Sequence, residues 1–270
     1  MRVRICMVIA TVLGVVAIAL PAQASAGADT DTPPPVSRVS ARDAVGSGAF
    51  LSGVEPAKAS PLAGTGLGVA GFDGARHTSF YSASAEVLLT RWLVLHGGVI
   101  YRPSNADDRA VARPSVALRA SLLDQASAGG DLAVSLGYSQ ERLAAEGGIL
   151  RVGAAVGRSF DRLSLIGNAS FDSDPDEGDD RDGMVGGAVL YRSMPGLHVG
   201  AQGSFRRDLG STDPRRLLRK DANYDFSVGP VASYARDVLV FTLQAGVIGV
   251  KGTTTGDVGL LALGGLGAAF

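Results

Sequence analysis

From residue 62 to the last residue, the sequence consists of segments in which every second residue is apolar, separated by clusters of turn-forming residues. In residues 81–89 the odd positions are aromatic or aliphatic, and Ser82, Ser84 and Glu86 lie between them. A period of two places one set of side chains on each face of a β-strand. The alternation therefore predicts an all-β fold whose strands have one apolar face.

About twelve such strands are predicted, and most have the length of about 9–11 residues with which a tilted strand crosses a bilayer. Alternation is weakest in 183–192, where we assign Val185, Val189 and Tyr191 to the outward face. The predicted strands are 62–71, 78–89, 92–101, 113–123, 131–139, 149–160, 163–171, 183–192, 197–206, 224–235, 238–250 and 258–270.

The connections and the aromatic residues both indicate a membrane barrel. Short connections, such as 90–91 and 161–162, alternate with longer polar ones, such as 172–182 and 207–223. This alternation is typical of barrels with short periplasmic turns and longer extracellular loops. Aromatic side chains prefer the two membrane interfaces. Beside the longer loops lie Phe72, Tyr81, Tyr101, Tyr138, Phe171, Phe205 and Tyr224, and beside the short turns lie Trp92, Phe160, Tyr191, Tyr234, Phe241 and Phe270.

The mean hydropathy is +0.21, although the only long apolar run is Ile5–Leu20. An apolar chain that crosses a membrane without helices has one option, a closed barrel of strands. Arg2 and Arg4 precede the apolar run, and Pro21 and two A-x-A sites follow it, which is the pattern of a secretory signal peptide. We therefore predict a cleaved signal peptide at 1–26, a flexible periplasmic segment at 27–61 and the barrel at 62–270.

Charge and cysteine content narrow the partners further. The only cysteine, Cys6, lies in the predicted signal peptide, so the mature chain has no disulfide and no thiolate metal site. Without Arg2 and Arg4 the chain has 23 basic and 26 acidic residues, a net charge of −3. This balance argues against nucleic acid as a partner.

The last strand ends on Phe270, which lies in the outward set with Val258, Leu260 and Leu266. In this respect the chain resembles the outer-membrane β-barrel proteins of Gram-negative bacteria. The resemblance is architectural and covers residues 62–270. It implies a location in the cell outer membrane and insertion by the barrel assembly machinery, which recognises a terminal aromatic residue in such proteins.

The inward set is dominated by serine, glycine and alanine, which predicts free volume inside twelve strands and hence a passive, weakly selective pore for small solutes. Glu86 and His96 are predicted to face each other across the 90–91 turn, either as a charged constriction or as a salt bridge that fixes register. The inward pair Leu261 and Leu263 contacts either a plug or an apolar solute. The polar residues predicted to line the lumen are Glu86, His96, Arg119, Arg151, His198, Gln202 and Gln244.

Two loops have unusual charge. Asp172, Asp174, Asp176 and Asp179 lie in an acidic loop with spacing suited to a divalent cation such as Ca²⁺, although the glycine and glutamate positions of an EF-hand are not matched. A solvated acidic loop without metal is the alternative. A basic cluster in the next long loop suits lipopolysaccharide phosphates. Its members are Arg207, Arg215, Arg216, Arg219 and Lys220. The alternative is that this cluster pairs with the acidic loop across the mouth of the barrel and partly closes it.

Other functions remain open at this point. A structural or lipopolysaccharide-interacting barrel without transport is the main alternative. Some twelve-stranded outer-membrane barrels are phospholipases with a Ser–His–Asn triad, but His77 and Ser79 have no orienting partner in the sequence, so we predict no enzyme activity. Autotransporter translocators are also twelve-stranded, but the segment before this barrel is too short for a folded passenger.

Overall fold

A computed structural model describes residues 62–72, 76–103, 111–140, 148–173, 181–209, 224–251 and 256–269. The predicted signal peptide and periplasmic segment lie outside these residues. So do Asp174, Asp176 and Asp179, the basic residues from Arg215 to Lys220, and Phe270.

The described residues form twelve strands, and each strand end lies within two residues of its predicted position. One short helix, α1 (Gln125–Ala128), lies in the connection 124–130. Within the described part of the chain, no helix is long and apolar enough to cross a membrane. The strands are β1 (Leu62–Phe72), β2 (Arg76–Leu88), β3 (Leu93–Arg102), β4 (Val111–Leu123), β5 (Asp131–Ser139), β6 (Ile149–Phe160), β7 (Leu163–Ser173), β8 (Arg181–Met194), β9 (Leu197–Asp208), β10 (Tyr224–Arg236), β11 (Leu239–Lys251) and β12 (Gly256–Ala269).

Each strand pairs antiparallel with its neighbours in sequence, and β1 pairs with β12 to close the barrel. The closing register runs from Leu62 opposite Ala269 to Phe72 opposite Gly259. Closure removes the unpaired strand edges that an open sheet would expose. We call the end of the barrel with the turns at 89–92, 161–162, 195–196 and 237–238 the turn end, and the opposite end the loop end.

The outer surface is the apolar face predicted from the alternation. Leu243, Leu260 and Val156 are among the many large apolar side chains exposed on it. The assignment of Val185, Val189 and Tyr191 of β8 to the outward face is confirmed, because all three are exposed while Leu190 is fully buried inside. The alternation is weak in β8 because both of its faces are apolar.

Eleven of the thirteen aromatic residues predicted for the girdles are exposed on the outer surface, and Phe270 and the side chain of Phe72 lie outside the described part of the chain. Tyr81 and Tyr101 lie near the loop end with ring centroids 6.4 Å apart, and Phe205 stacks on Tyr224 at 5.9 Å. Trp92 and Phe160 are exposed beside turns at the turn end. An outer belt of apolar side chains between two aromatic rings is the surface expected of a barrel that faces lipid.

Candidate functional site

The interior of the barrel contains a cavity of about 310 Å³, which extends from the loop half to Glu86, His96 and Arg119 near the turn end. Inward-facing serines from β4, β5, β9 and β10 line it together with charged side chains. Ser204 and Ser227, directly opposite each other on β9 and β10, lie 3.0 Å apart at their hydroxyl oxygens. Polar residues therefore line much of this cavity, as the inward set predicted.

A buried ionic cluster lies near the turn end on β2, β3 and β4. Glu86 and His96 face each other in the β2–β3 register, as predicted, with Glu86 Oε1 3.1 Å from His96 Nδ1. Arg119 Nη2 reaches past β3 and donates to Glu86 Oε2 at 2.8 Å. The Arg119 and Glu86 side chains are only 8% and 12% exposed. One carboxylate thus holds three adjacent strands together from inside.

A second set of ion pairs lies near the loop end. Arg151 binds Asp172 through two hydrogen bonds, Nε to Oδ1 at 2.7 Å and Nη2 to Oδ2 at 2.6 Å. Arg206 Nη2 lies 2.9 Å from Asp182 Oδ2, and Arg206 Nε lies 3.9 Å from Asp225 Oδ2. Each arginine is therefore matched by at least one carboxylate on a neighbouring strand.

Of the four candidate calcium ligands, Asp172 is the only one that the structure describes. Strand β7 extends to Ser173, so Asp172 is part of the barrel wall and faces Arg151 from inside. To bind a cation, its carboxylate would have to leave the arginine. Among the described residues, no three His, Cys, Asp or Glu side chains are grouped to hold a metal ion.

Gln202 and Gln244 meet across β10. The Gln202 Nε2 atom donates to Gln244 Oε1, and both side chains are buried. On β10, Gly229 pairs with Gln202 and Val231 pairs with Gln244, and Gly229 has no side chain to block the contact. A Cβ at Gly229 would overlap the Ala245 carbonyl of β11, so the position requires glycine. His198, the remaining polar residue predicted to line the lumen, lies on the inward face at the turn end, opposite Ser233.

Large apolar side chains fill part of the turn half, which the sequence analysis did not anticipate. Leu190 and Val240 are 0% exposed and Val94 is 1% exposed. Ile166, Ala188, Leu190 and Val231 form one buried cluster. All of these residues occupy inward positions in the alternation, so this parity is the signal that would have identified them. These side chains therefore occupy part of the lumen in the turn half.

Leu261 and Leu263 do not contact a plug in the described structure. They form a buried cluster with Ala70 on the inner wall, against which Phe80 and Ile248 pack. The sequence analysis missed Phe80, which lies opposite Gly68 in the β1–β2 register. A Cβ at Gly68 would overlap the Phe80 ring and lie 2.6 Å from Leu263 Cδ2.

Arg207 is the one member of the predicted basic cluster in the described residues. It is paired with Tyr224 in the β9–β10 register, on the outward set that includes Phe205. It therefore lies beside the stacked aromatic pair at the loop end.

No family model matches the chain, and no curated protein matches it. Several solved structures do match the chain. The NanC porin superposes with a TM-score of 0.55 at 9% identity, over 76% of this chain and 100% of that one. The KdgM porin in complex with disordered oligogalacturonate gives 0.51 at 11% identity, over 77% and 99%.

An outer-membrane channel from Pseudomonas putida F1 gives a TM-score of 0.51 at 12% identity, over 79% of this chain and 96% of that one. At such identities the similarity concerns the fold. The chain has the closed, twelve-stranded fold of the outer-membrane β-barrels.

Proposed function

We propose that the protein is a passive, weakly selective pore for small solutes in the outer membrane. The observation that carries this proposal is the cavity of about 310 Å³ inside a closed barrel, with serine and charged side chains in its lining. A polar interior surrounded by an apolar outer belt suits a path for water and small solutes through a membrane.

The charges of the interior favour weak selectivity. Strong ion selectivity in channels is built from rings of like charge. Here Arg151 is neutralised by Asp172, Arg119 by Glu86, and Arg206 by Asp182. Neither sign dominates the described wall, so we expect cations and anions to pass at similar rates.

The apolar packing at the turn half sets the expected size of the current. Leu190, Val94 and Val240 exclude water from the space that they fill. Ions therefore pass only through the part of the lumen cross-section that these side chains leave open. We therefore expect small conductance steps from the native protein.

Planar-bilayer recording tests the pore. Leu190→Ala removes buried volume from the turn half, and we expect its conductance steps to exceed those of the native chain. Val189→Ala, at the adjacent lipid-facing position, is the matched control and should leave the steps unchanged. If neither the native protein nor Leu190→Ala conducts, the pore proposal fails.

Deleting residues 27–60 in the same assay tests whether that segment occupies the lumen.

A lipopolysaccharide-binding role without transport is the alternative, and Arg207 beside the stacked Phe205 and Tyr224 favours it. Aromatic rings at the interface with a cation beyond them suit a phosphorylated lipid surface. Replacing the basic residues Arg215, Arg216, Arg219 and Lys220 with glutamine should abolish thermal stabilisation by lipopolysaccharide. Arg236→Gln, an exposed cation at the turn end, is the control.

Calcium binding by Asp172, Asp174, Asp176 and Asp179 stays a prediction. Its test is a Ca²⁺ titration of the thermal unfolding midpoint in the native chain and in Asp176→Asn. Stabilisation of the native chain alone would support the site.

A further inference from the structure

The cavity has two chemically different walls. Inward positions at Gly64–Ala70 of β1, Val240–Val250 of β11 and Gly259–Ala269 of β12 carry no charged residue. The charged groups of the lining come from β2, β3, β4, β6, β9 and β10. The interior is therefore amphipathic across its width.

The uncharged and charged walls meet between β10 and β11, where the uncharged wall presents Ile248 and Val250. In the row nearer the loop end, Arg206 on β9 pairs with Asp225 on β10, and Asp225 pairs with Val250 on β11. One row deeper, Ser204, Ser227 and Ile248 occupy the same strands in the same order. Directly opposite residues on one face have Cβ atoms about 4.5–5.5 Å apart. A molecule lying along this junction touches charged, hydroxyl and aliphatic groups together.

The charged groups at the junction are accessible and opposite in sign. The side chains of Arg206 and Asp225 are 42% and 45% exposed, and Val250 is 41% exposed. Their 3.9 Å separation is longer than a hydrogen bond, so neither group is fully satisfied by the other. Asp182 holds Arg206 in place from the other side at 2.9 Å.

We propose that this junction binds small zwitterionic amphiphiles of the amino-acid type, with a carboxylate on Arg206, an ammonium group on Asp225 and an apolar side chain against Val250 and Ile248. A carboxylate and an ammonium group on one carbon are close enough to face two side chains that are themselves 3.9 Å apart. Ser204 and Ser227 add hydroxyl groups beneath the head group. Passage of such solutes through the barrel rests on the proposed pore, whereas binding at the junction does not.

Isothermal titration of the full-length protein in detergent tests the binding. The probes are L-phenylalanine, benzoate without the ammonium group, phenethylammonium without the carboxylate, and glycine without the apolar body. We expect phenylalanine to bind most tightly, because the loss of one charged partner weakens binding by about tenfold or more.

Asp225→Asn should weaken phenylalanine binding by about tenfold while leaving benzoate binding unchanged or stronger. Arg206 retains its ion pair with Asp182 in this variant, so its guanidinium still has a carboxylate partner. Ile248→Thr keeps the branched shape and should weaken phenylalanine but not glycine. Arg236→Gln at the turn end is the control.

Two outcomes overturn the inference: no binding of phenylalanine, or equal binding of benzoate and phenylalanine to the native chain. Conductance recorded on the same preparation reports the pore separately. A conducting protein that does not bind phenylalanine would refute the site alone, and a binding protein that does not conduct would refute the pore alone.

Discussion

Removing the negative charge of Glu86 should destabilise the barrel far more than removing a surface charge. Glu86→Gln keeps the shape of the side chain but leaves the Arg119 guanidinium, 8% exposed, without the carboxylate 2.8 Å from it. Breaking a buried ion pair from one side costs about 3–5 kcal/mol. Glutamine retains a carbonyl acceptor and the site is slightly solvated. We therefore expect the free energy of unfolding to fall by about 3 kcal/mol, the lower limit of this range.

The measurement is urea unfolding in micelles, followed by the fluorescence of Trp92. This is the only tryptophan of the chain, it is 50% exposed on the outer surface, and it lies beside β3, which carries His96. Asp161→Asn is the matched control, since Asp161 is 87% exposed and pairs with Arg192 at 3.5 Å. An exposed pair of this kind contributes at most about 1 kcal/mol.

A double-mutant cycle isolates the interaction. Arg119→Met removes the guanidinium. The double variant with Glu86→Gln should lose about 2 kcal/mol less free energy of unfolding than the sum of the losses in the two single variants. Strict additivity, or a Glu86→Gln loss no larger than that of Asp161→Asn, would refute the claim that the cluster holds β2, β3 and β4 together.

Three further predictions concern single positions. Gly229→Ala should lower the free energy of unfolding by about 1–3 kcal/mol, because its Cβ would overlap the neighbouring strand. Gly97→Ala, with open space at the Cβ position, should be tolerated. Gly196→Ala, at φ +79° in the β8–β9 turn and against a carbonyl of β10, should cost more than Gly129→Ala, at φ +75° with open space, in the same urea assay. Phe270→Ser should slow insertion in cells, measured as the fraction of heat-modifiable folded protein, while purified refolded protein keeps its unfolding midpoint.

The strands and their outward faces were predictable because lipid imposes a uniform demand. Most lipid-facing positions are apolar, although Arg158 near the turn end is an exception, so alternation alone located all twelve strands and gave the correct face even in β8. The register of Glu86 and His96 was predictable for a similar reason, since a short turn fixes which residues face each other.

The partners of the charged side chains were less predictable. Arg119 reaches Glu86 past an intervening strand, which depends on the lateral curvature of the wall. Asp172 was assigned to an acidic loop, yet β7 continues far enough to place it opposite Arg151. The end of a strand depends on the pairing available from its neighbours, which a single segment of sequence does not contain.

The filling of the lumen follows from a different physical constraint. Parity gives the face of Leu190, Val231 and Val240, but how closely opposing walls approach depends on the tilt and shear of the whole barrel. These side chains gather in the turn half, where the ionic cluster of Glu86, His96 and Arg119 also lies, so apolar and charged groups share that half of the interior. A solute entering from the loop end meets charge and hydroxyl groups first and loses water where it passes the apolar cluster that contains Leu190 and Val231. The free energy of that desolvation, more than the charge of the mouth, should set the rate of passage.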